Sequence, residues 1–185
     1  MIELIGVTKS YAKGSVKAVD DVTLTVKPGE IFGFLGPNGA GKTTTIKMIV
    51  GLLQPDSGSV KVANIDVLRD PLTAKRQIGF VPDQPQVYDR LTGAEYLNFL
   101  ADVYQVPEKI RKERRGKRIE HLLEIFGIKE AIGDLVQSYS HGMKQKLVLT
   151  GALLHNPPVW IMDEPMVGLD PRSSFLLKDL MGEHC

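Results

Sequence analysis

Cysteine is almost absent: Cys185, the last residue, is the only one in 185, so no disulfide can form within the chain and a reducing compartment is expected. Long apolar runs are missing too. Lys47 interrupts the longest, and nothing approaches the ~20 residues that a membrane helix requires. The first residues lack the basic-then-apolar pattern of a secretion signal. Charge of one sign is not in excess, and a formal net charge of +1 provides no global attraction to nucleic acid or to a membrane surface. With 43% hydrophobic and 24% charged residues the composition is that of an ordinary soluble globular chain large enough for one good core. The expected location is cytoplasmic, any membrane role coming through a partner.

What is present is Gly36-Pro37-Asn38-Gly39-Ala40-Gly41-Lys42-Thr43, which fits the phosphate-loop pattern G-x-x-x-x-G-K-[ST] without a mismatch. Glycines at 36, 39 and 41 let the backbone take φ values closed to other residues, so successive N–H groups can turn toward phosphate oxygens. Lys42 adds a point charge for the β- and γ-phosphates, and Thr43 a hydroxyl for Mg²⁺, a metal that prefers oxygen. The competing reading is a glycine-rich turn without a ligand. Context argues against it: Ile31 to Leu35 reads as a buried parallel strand before the loop, and Thr44 to Leu53 as a helix after it, with Ile46, Ile49, Val50 and Leu53 on one face. The helix N-terminus then faces the anion.

Elsewhere the pattern alternates between strand and helix. Ile2 to Val7 and the strictly alternating Val22 to Val26 read as strands, with a turn at Lys13-Gly14-Ser15 just after Tyr11 and another at Pro28-Gly29-Glu30. Val60 and Val62 mark a short strand, and Ile78 to Val81 another, closed by Pro82-Asp83-Gln84-Pro85. Thr92 with Glu95 forms a capping box ahead of a helix whose stripe is Leu97, Leu100, Ala101 and Tyr104. A second helix carries Ile119, Leu122, Leu123 and Phe126 on one face. Its basic approach, Arg111 to Arg118, is read as a solvated helix face with Glu108–Lys112 and Glu113–Lys117 pairs, so no nucleic-acid partner is expected. Val159 to Met162 is an apolar strand ending in Asp163-Glu164, where ligands bind in α/β proteins. Next to a phosphate loop, these carboxylates suit metal neutralisation (Asp163) and the positioning of an attacking water (Glu164). Asp170-Pro171 reads as N-cap and first-turn proline of a helix with Leu176, Leu177, Leu180 and Met181 inward.

In this order the motifs resemble the nucleotide-binding domain of ABC transporters over nearly the whole chain. Ser138-Tyr139-Ser140-His141-Gly142-Met143-Lys144-Gln145-Lys146 looks like the family's signature, usually L-S-G-G-Q. The resemblance implies a P-loop NTPase core with a parallel sheet, an N-terminal antiparallel β subdomain and an inserted α-helical subdomain. The expected parts are 1–30 mainly antiparallel β, 31–82 the phosphate-loop core, 83–150 the helical part ending in the signature helix, and 151–185 the Asp163-Glu164 strand with the loop and helix after it. It further implies ATP bound by Tyr11 and by Gly36, Pro37, Asn38, Gly39, Ala40, Gly41, Lys42, Thr43 and Thr44. Mg²⁺ would be held by Thr43 and Asp163, with Glu164 as the catalytic carboxylate. Ser140, His141, Gly142 and Met143 would cap the ATP of an opposite subunit in a head-to-tail dimer. Asp170 would link the two subunits' sites. The implied activity is ATP hydrolysis energising a membrane-spanning permease.

The chain departs from the family pattern in three places. Asp83 stands where the family has a partner-sensing glutamine. His141 and Met143 replace a glycine and the glutamine of the signature, a variant that looks like cassettes serving ABC-2 type membrane partners, often exporters. Last, the family's switch histidine lies on a strand beyond the Asp170 helix, so a C-terminally truncated cassette is expected, and His184 is not promoted to that role. The resemblance places that missing strand between the strands at 31–35 and 159–162, so weak stability and poor ATP binding are also expected. The alternatives are a non-transport soluble ABC ATPase, against which the interval from Lys42 to Ser140 shows no sustained heptads, and a nucleotide-binding fragment without turnover. No N-K-x-D guanine motif occurs.

Overall fold

The structure, a computed structural model, describes residues 1–12, 15–105 and 116–185, with backbone alone at 116 and 117. The expected turn residues Lys13 and Gly14, the basic run 111–115 and the two ion pairs at 108–112 and 113–117 lie outside the described residues or side chains. The chain forms two compact units, one made of Met1–Ile78, Pro158–Ile161 and His184–Cys185, the other of Gly79–Pro157 and Met162–Glu183.

In the first unit β1 (Ile2–Tyr11) and β2 (Val16–Val26) pair antiparallel with Ile2 opposite Val26, Leu4 opposite Leu24 and Tyr11 opposite Val16. β3 (Ser57–Val62) pairs antiparallel with the other edge of β1, and the two-residue β4 (Ile65–Asp66) follows it, giving the order β2-β1-β3-β4. One face of this sheet is dry: Leu4, Val7, Val60 and Val62 are fully buried. Val22, Leu24 and Val26 are half-buried between exposed Thr23 and Thr25, as the alternation requires. Against this unit packs α1 (Lys42–Ile49), with Thr45, Ile46, Met48 and Ile49 inward. It is shorter than the expected 44–53 because Gly51 turns left-handed (φ 69) and the Leu52 and Leu53 N–H groups fold back onto the Lys47 carbonyl, at 2.8 and 3.0 Å.

The expected buried strand at 31–35 is not formed. The segment is irregular, and Ile31, Phe32, Phe34 and Leu35 are all exposed, Leu35 at 92%. A strand exists only beside a hydrogen-bonding neighbour, and among the described residues none pairs with this segment. The short helix α2 (Pro71–Arg76), capped by Asp70, leads into β5 (Ile78–Val81), which pairs with β6 (Val159–Met162). Val159 N–H donates to the Gln77 carbonyl and Asp163 N–H to the Val81 carbonyl, so both strands advance in the same direction and the pair is parallel.

The second unit is mainly helical. α3 (Gly93–Val103) begins at the expected capping box, Thr92 Oγ1 accepting from Glu95 N–H while Glu95 accepts from Thr92 N–H at 2.8 Å. α4 (Gly116–Phe126) buries Leu122, Leu123 and Phe126. Both pack on α5 (His141–Leu153), whose Leu147, Val148, Leu149, Ala152 and Leu153 are buried. α6 (Pro171–His184) follows, with Ser173 and Leu177 buried and the other expected inward residues, Leu176, Leu180 and Met181, half-buried. Among the described residues no helix is long and apolar enough to cross a membrane.

Candidate functional site

The phosphate loop lies in the first unit. Gly39 and Gly41 both stand in the left-handed region, at φ 83 and 84. At Gly41 a side chain is also excluded sterically, since a Cβ would press into the Ala18 carbonyl of β2. The loop closes on itself through Ala40 N–H to the Pro37 carbonyl at 3.2 Å. Lys42 folds back across it, its Nζ donating to the carbonyls of Gly36 (2.6 Å) and Pro37 (2.9 Å). Thr45 Oγ1–H donates to the Gly41 carbonyl at 2.9 Å and secures the first turn of α1. No acidic residue occupies that turn, so no carboxylate of the first turn offsets the positive end of the helix. Tyr11 ends β1 in the same unit and is 44% exposed.

The remaining expected site residues lie in the second unit. Asp163 leaves β6 with its backbone held by Val81 and its side chain buried. Glu164 is exposed and, at φ 50, left-handed. Ser140 caps α5 as expected, its hydroxyl accepting from Met143 N–H at 3.3 Å, so His141, Gly142 and Met143 form the first turn. An open cleft of about 510 Å³ brings together Asp83, Gln84, Pro85, His141, Lys144, Glu164 and Val167. The Asp83 position, the signature turn and the Glu164 carboxylate therefore face one space within this unit.

Asp170 caps α6 and is held by three donors at once. It accepts from Lys146 Nζ (2.6 Å), from the Ser173 hydroxyl (2.7 Å) and from Ser173 N–H (2.9 Å), and these bonds, the Lys146 one first, hold its carboxyl well below the usual carboxylate range. Sequence reasoning missed both cations of the signature helix. Lys146 pairs with Asp170, and Lys144 pairs with Asp89 at 2.7 Å. Their partners are 24 and 55 residues away in the chain, beyond any local pattern that could have revealed them. His184 stacks on Trp160 with ring centroids 4.0 Å apart, which gives it a packing role in the first unit.

Residues 19–167 match the model of the family described as ABC transporter. The linearmycin resistance ATP-binding protein LnrL of Bacillus subtilis (strain 168) is 39% identical over 173 residues, which cover 94% of this chain and 54% of that protein. A solved structure of an ATP-binding subunit of an ABC transporter superposes with a TM-score of 0.91 at 33% identity, covering all of this chain and 74% of the other. A dimeric ATP-binding cassette in a post-hydrolysis state, bound to ADP and Pi, superposes with a TM-score of 0.85 at 30% identity, covering 98% of this chain and 81% of the other. The chain spans about half the length of the curated relatives it matches.

Proposed function

The chain belongs to the ABC transporter family, with the P-loop NTPase fold of its ATP-binding cassettes, and from that premise we propose that it binds and hydrolyses ATP to energise a membrane transporter, an exporter of the ABC-2 type. The observation that carries the proposal is the phosphate loop: a left-handed glycine pair, a lysine folded over the loop and a helix N-terminus free of acids form a cradle for the triphosphate of ATP. Gly36 to Thr44 hold the phosphates and Tyr11 stacks on the base. The Thr43 hydroxyl and the Asp163 carboxylate, each a hard oxygen donor of the kind Mg²⁺ takes, are the groups that would hold it. When bound, it would supply neutralisation of phosphoryl charge. Glu164 orients the attacking water and accepts its proton.

Two copies would meet head to tail, Ser140 to Met143 of one serving the ATP of the other and Asp170 lying at the link between sites. The dimeric state of the similar cassette supports a pairing of two copies. A permease would hold the cassette at the cytoplasmic side of a membrane, with Asp83 at the position that senses it. Of the three apolar residues that follow Asp83, only Tyr88 is well exposed (57%), Val87 and Leu91 being half-buried. Tyr88 meets exposed Phe99 edge-on, with centroids 5.4 Å apart, and this pair is the proposed contact for the permease.

Two substitutions separate cradle from chemistry. Lys42→Ala is expected to abolish tight ATP binding, whereas Glu164→Gln binds ATP and loses turnover by a factor of about 10² or more. Equal affinity in wild type and Lys42→Ala, or undiminished single-turnover hydrolysis by Glu164→Gln, would overturn the assignment.

A further inference from the structure

Glu164 stands at φ 50, a conformation that a residue with a side chain keeps only where its surroundings over-determine it. On its N-terminal side the constraint is the strand bond from Asp163 N–H to Val81. On its C-terminal side the chain makes two tight turns, Val167 N–H to the Glu164 carbonyl and Leu169 N–H to the Met166 carbonyl, both at 3.1 Å, before Asp170 caps α6. The direction of the Glu164 carboxylate thus depends on what holds the far end of those turns. The Lys146–Asp170 pair is one such hold. The other is His141. A Cβ added to Gly168, itself left-handed at φ 79, would lie 2.6 Å from Cδ2 and 3.0 Å from Nε2 of the His141 ring. The imidazole therefore lies against Gly168, and a side chain there would have to displace the exposed ring. Next to it, a Cβ on Gly142 would come within 2.5 Å of the Gly168 carbonyl oxygen. Ring and carbonyl together seat the turn on the first residues of α5.

We propose that His141 acts within its own chain as a positioning residue for Glu164, clamping Gly168 and so fixing the turns that aim the carboxylate. The clamp is geometric, while its kinetic readout rests on the ATPase reading given above. His141 and Glu164 line the same cleft, with Asp83 and the Asp89-bound Lys144 as its other charged groups, so loosening of the turn would be felt at the carboxylate. A bulky residue at 141 and a glycine at 168 are then two sides of one fit.

The experiment compares the full chain with His141→Gly, His141→Phe, Gly168→Ala and the double variant His141→Gly/Gly168→Ala, measuring steady-state turnover, KM for ATP and the thermal transition. His141→Gly is expected to lower kcat on the order of 10-fold, and Gly168→Ala, whose residue lies outside the segment placed at the ATP, to lower kcat while KM changes less than about twofold. His141→Phe, which keeps a planar ring, is expected to recover most of that loss. Gly168→Ala is expected to cost less in the His141→Gly background than in wild type, because the ring it collides with is gone. Wild-type kcat in His141→Gly, or an equal cost of Gly168→Ala in both backgrounds, would overturn the proposal. Should no variant hydrolyse ATP, wild type included, the ATPase reading fails. The clamp is then judged by unfolding alone: relief of the Gly168→Ala destabilisation by His141→Gly supports it, and additive losses overturn it.

Discussion

Asp170 shows how a single side chain can tie two segments together. Its carboxylate is held low by Lys146 and by both donors of Ser173, while in the unfolded chain it titrates near the ordinary aspartate value of 3.8. Because the folded value is the lower one, the stabilisation is complete above about pH 3.8 and declines as pH falls below it toward the folded value. Asp170→Asn is expected to lower the thermal transition at neutral pH, the difference from wild type shrinking below pH 3.8; an equal loss at every pH would argue against the linkage. Gln145 makes the opposite case. It is fully buried on α5, and among the described residues neither of its amide atoms has a hydrogen-bond partner. A desolvated, unpaired amide costs about 1–3 kcal/mol, so Gln145→Met is expected to raise the unfolding free energy by about that amount. Denaturant unfolding measures it, and a destabilised variant would show that the amide is satisfied in solution.

Among the elements, helices and strands behave differently because they satisfy their backbones differently. α3, α5 and α6 begin at Thr92, Ser140 and Asp170, each closing its own first turn with a side chain three residues from the group it bonds. The segment 31–35 has no such local solution. Its five residues are apolar or glycine and would suit a buried strand, but its N–H and C=O groups need a neighbouring strand. Its amides are accordingly expected to exchange with solvent rapidly, while those of Asp163 and Val159, bonded to Val81 and Gln77, are protected. Comparable protection of 31–35 would mean that a neighbour does form there. The exposure of this segment also bears on function, because it delivers the chain into Gly36 at the start of the phosphate loop.

For the molecule as a whole, no helix among the described residues is long and apolar enough to cross a membrane, and the function proposed above takes contact with a permease as the link to one. Tyr88→Ala with Phe99→Ala is expected to weaken assembly with the permease by at least about tenfold, as loss of two paired aromatic anchors would, while ATP binding by the isolated chain stays unchanged. Assembly at wild-type affinity would remove this surface from the proposal. Much of the local structure could be read from residue order. Gly36 to Thr43, the Thr92–Glu95 box, the Ser140 cap and the Asp170-Pro171 helix start are legible because each depends on bonds spanning only a few residues, which backbone geometry imposes wherever the pattern occurs. Asp163-Glu164 was legible too, from an apolar strand that ends in carboxylates. The strand status of 31–35, the partners of Lys144 and Lys146, and the seat of Gly168 under His141 were not. Each depends on groups brought together from distant parts of the chain, or on a neighbour's being there at all, and such meetings are settled by how the packed elements close on one another.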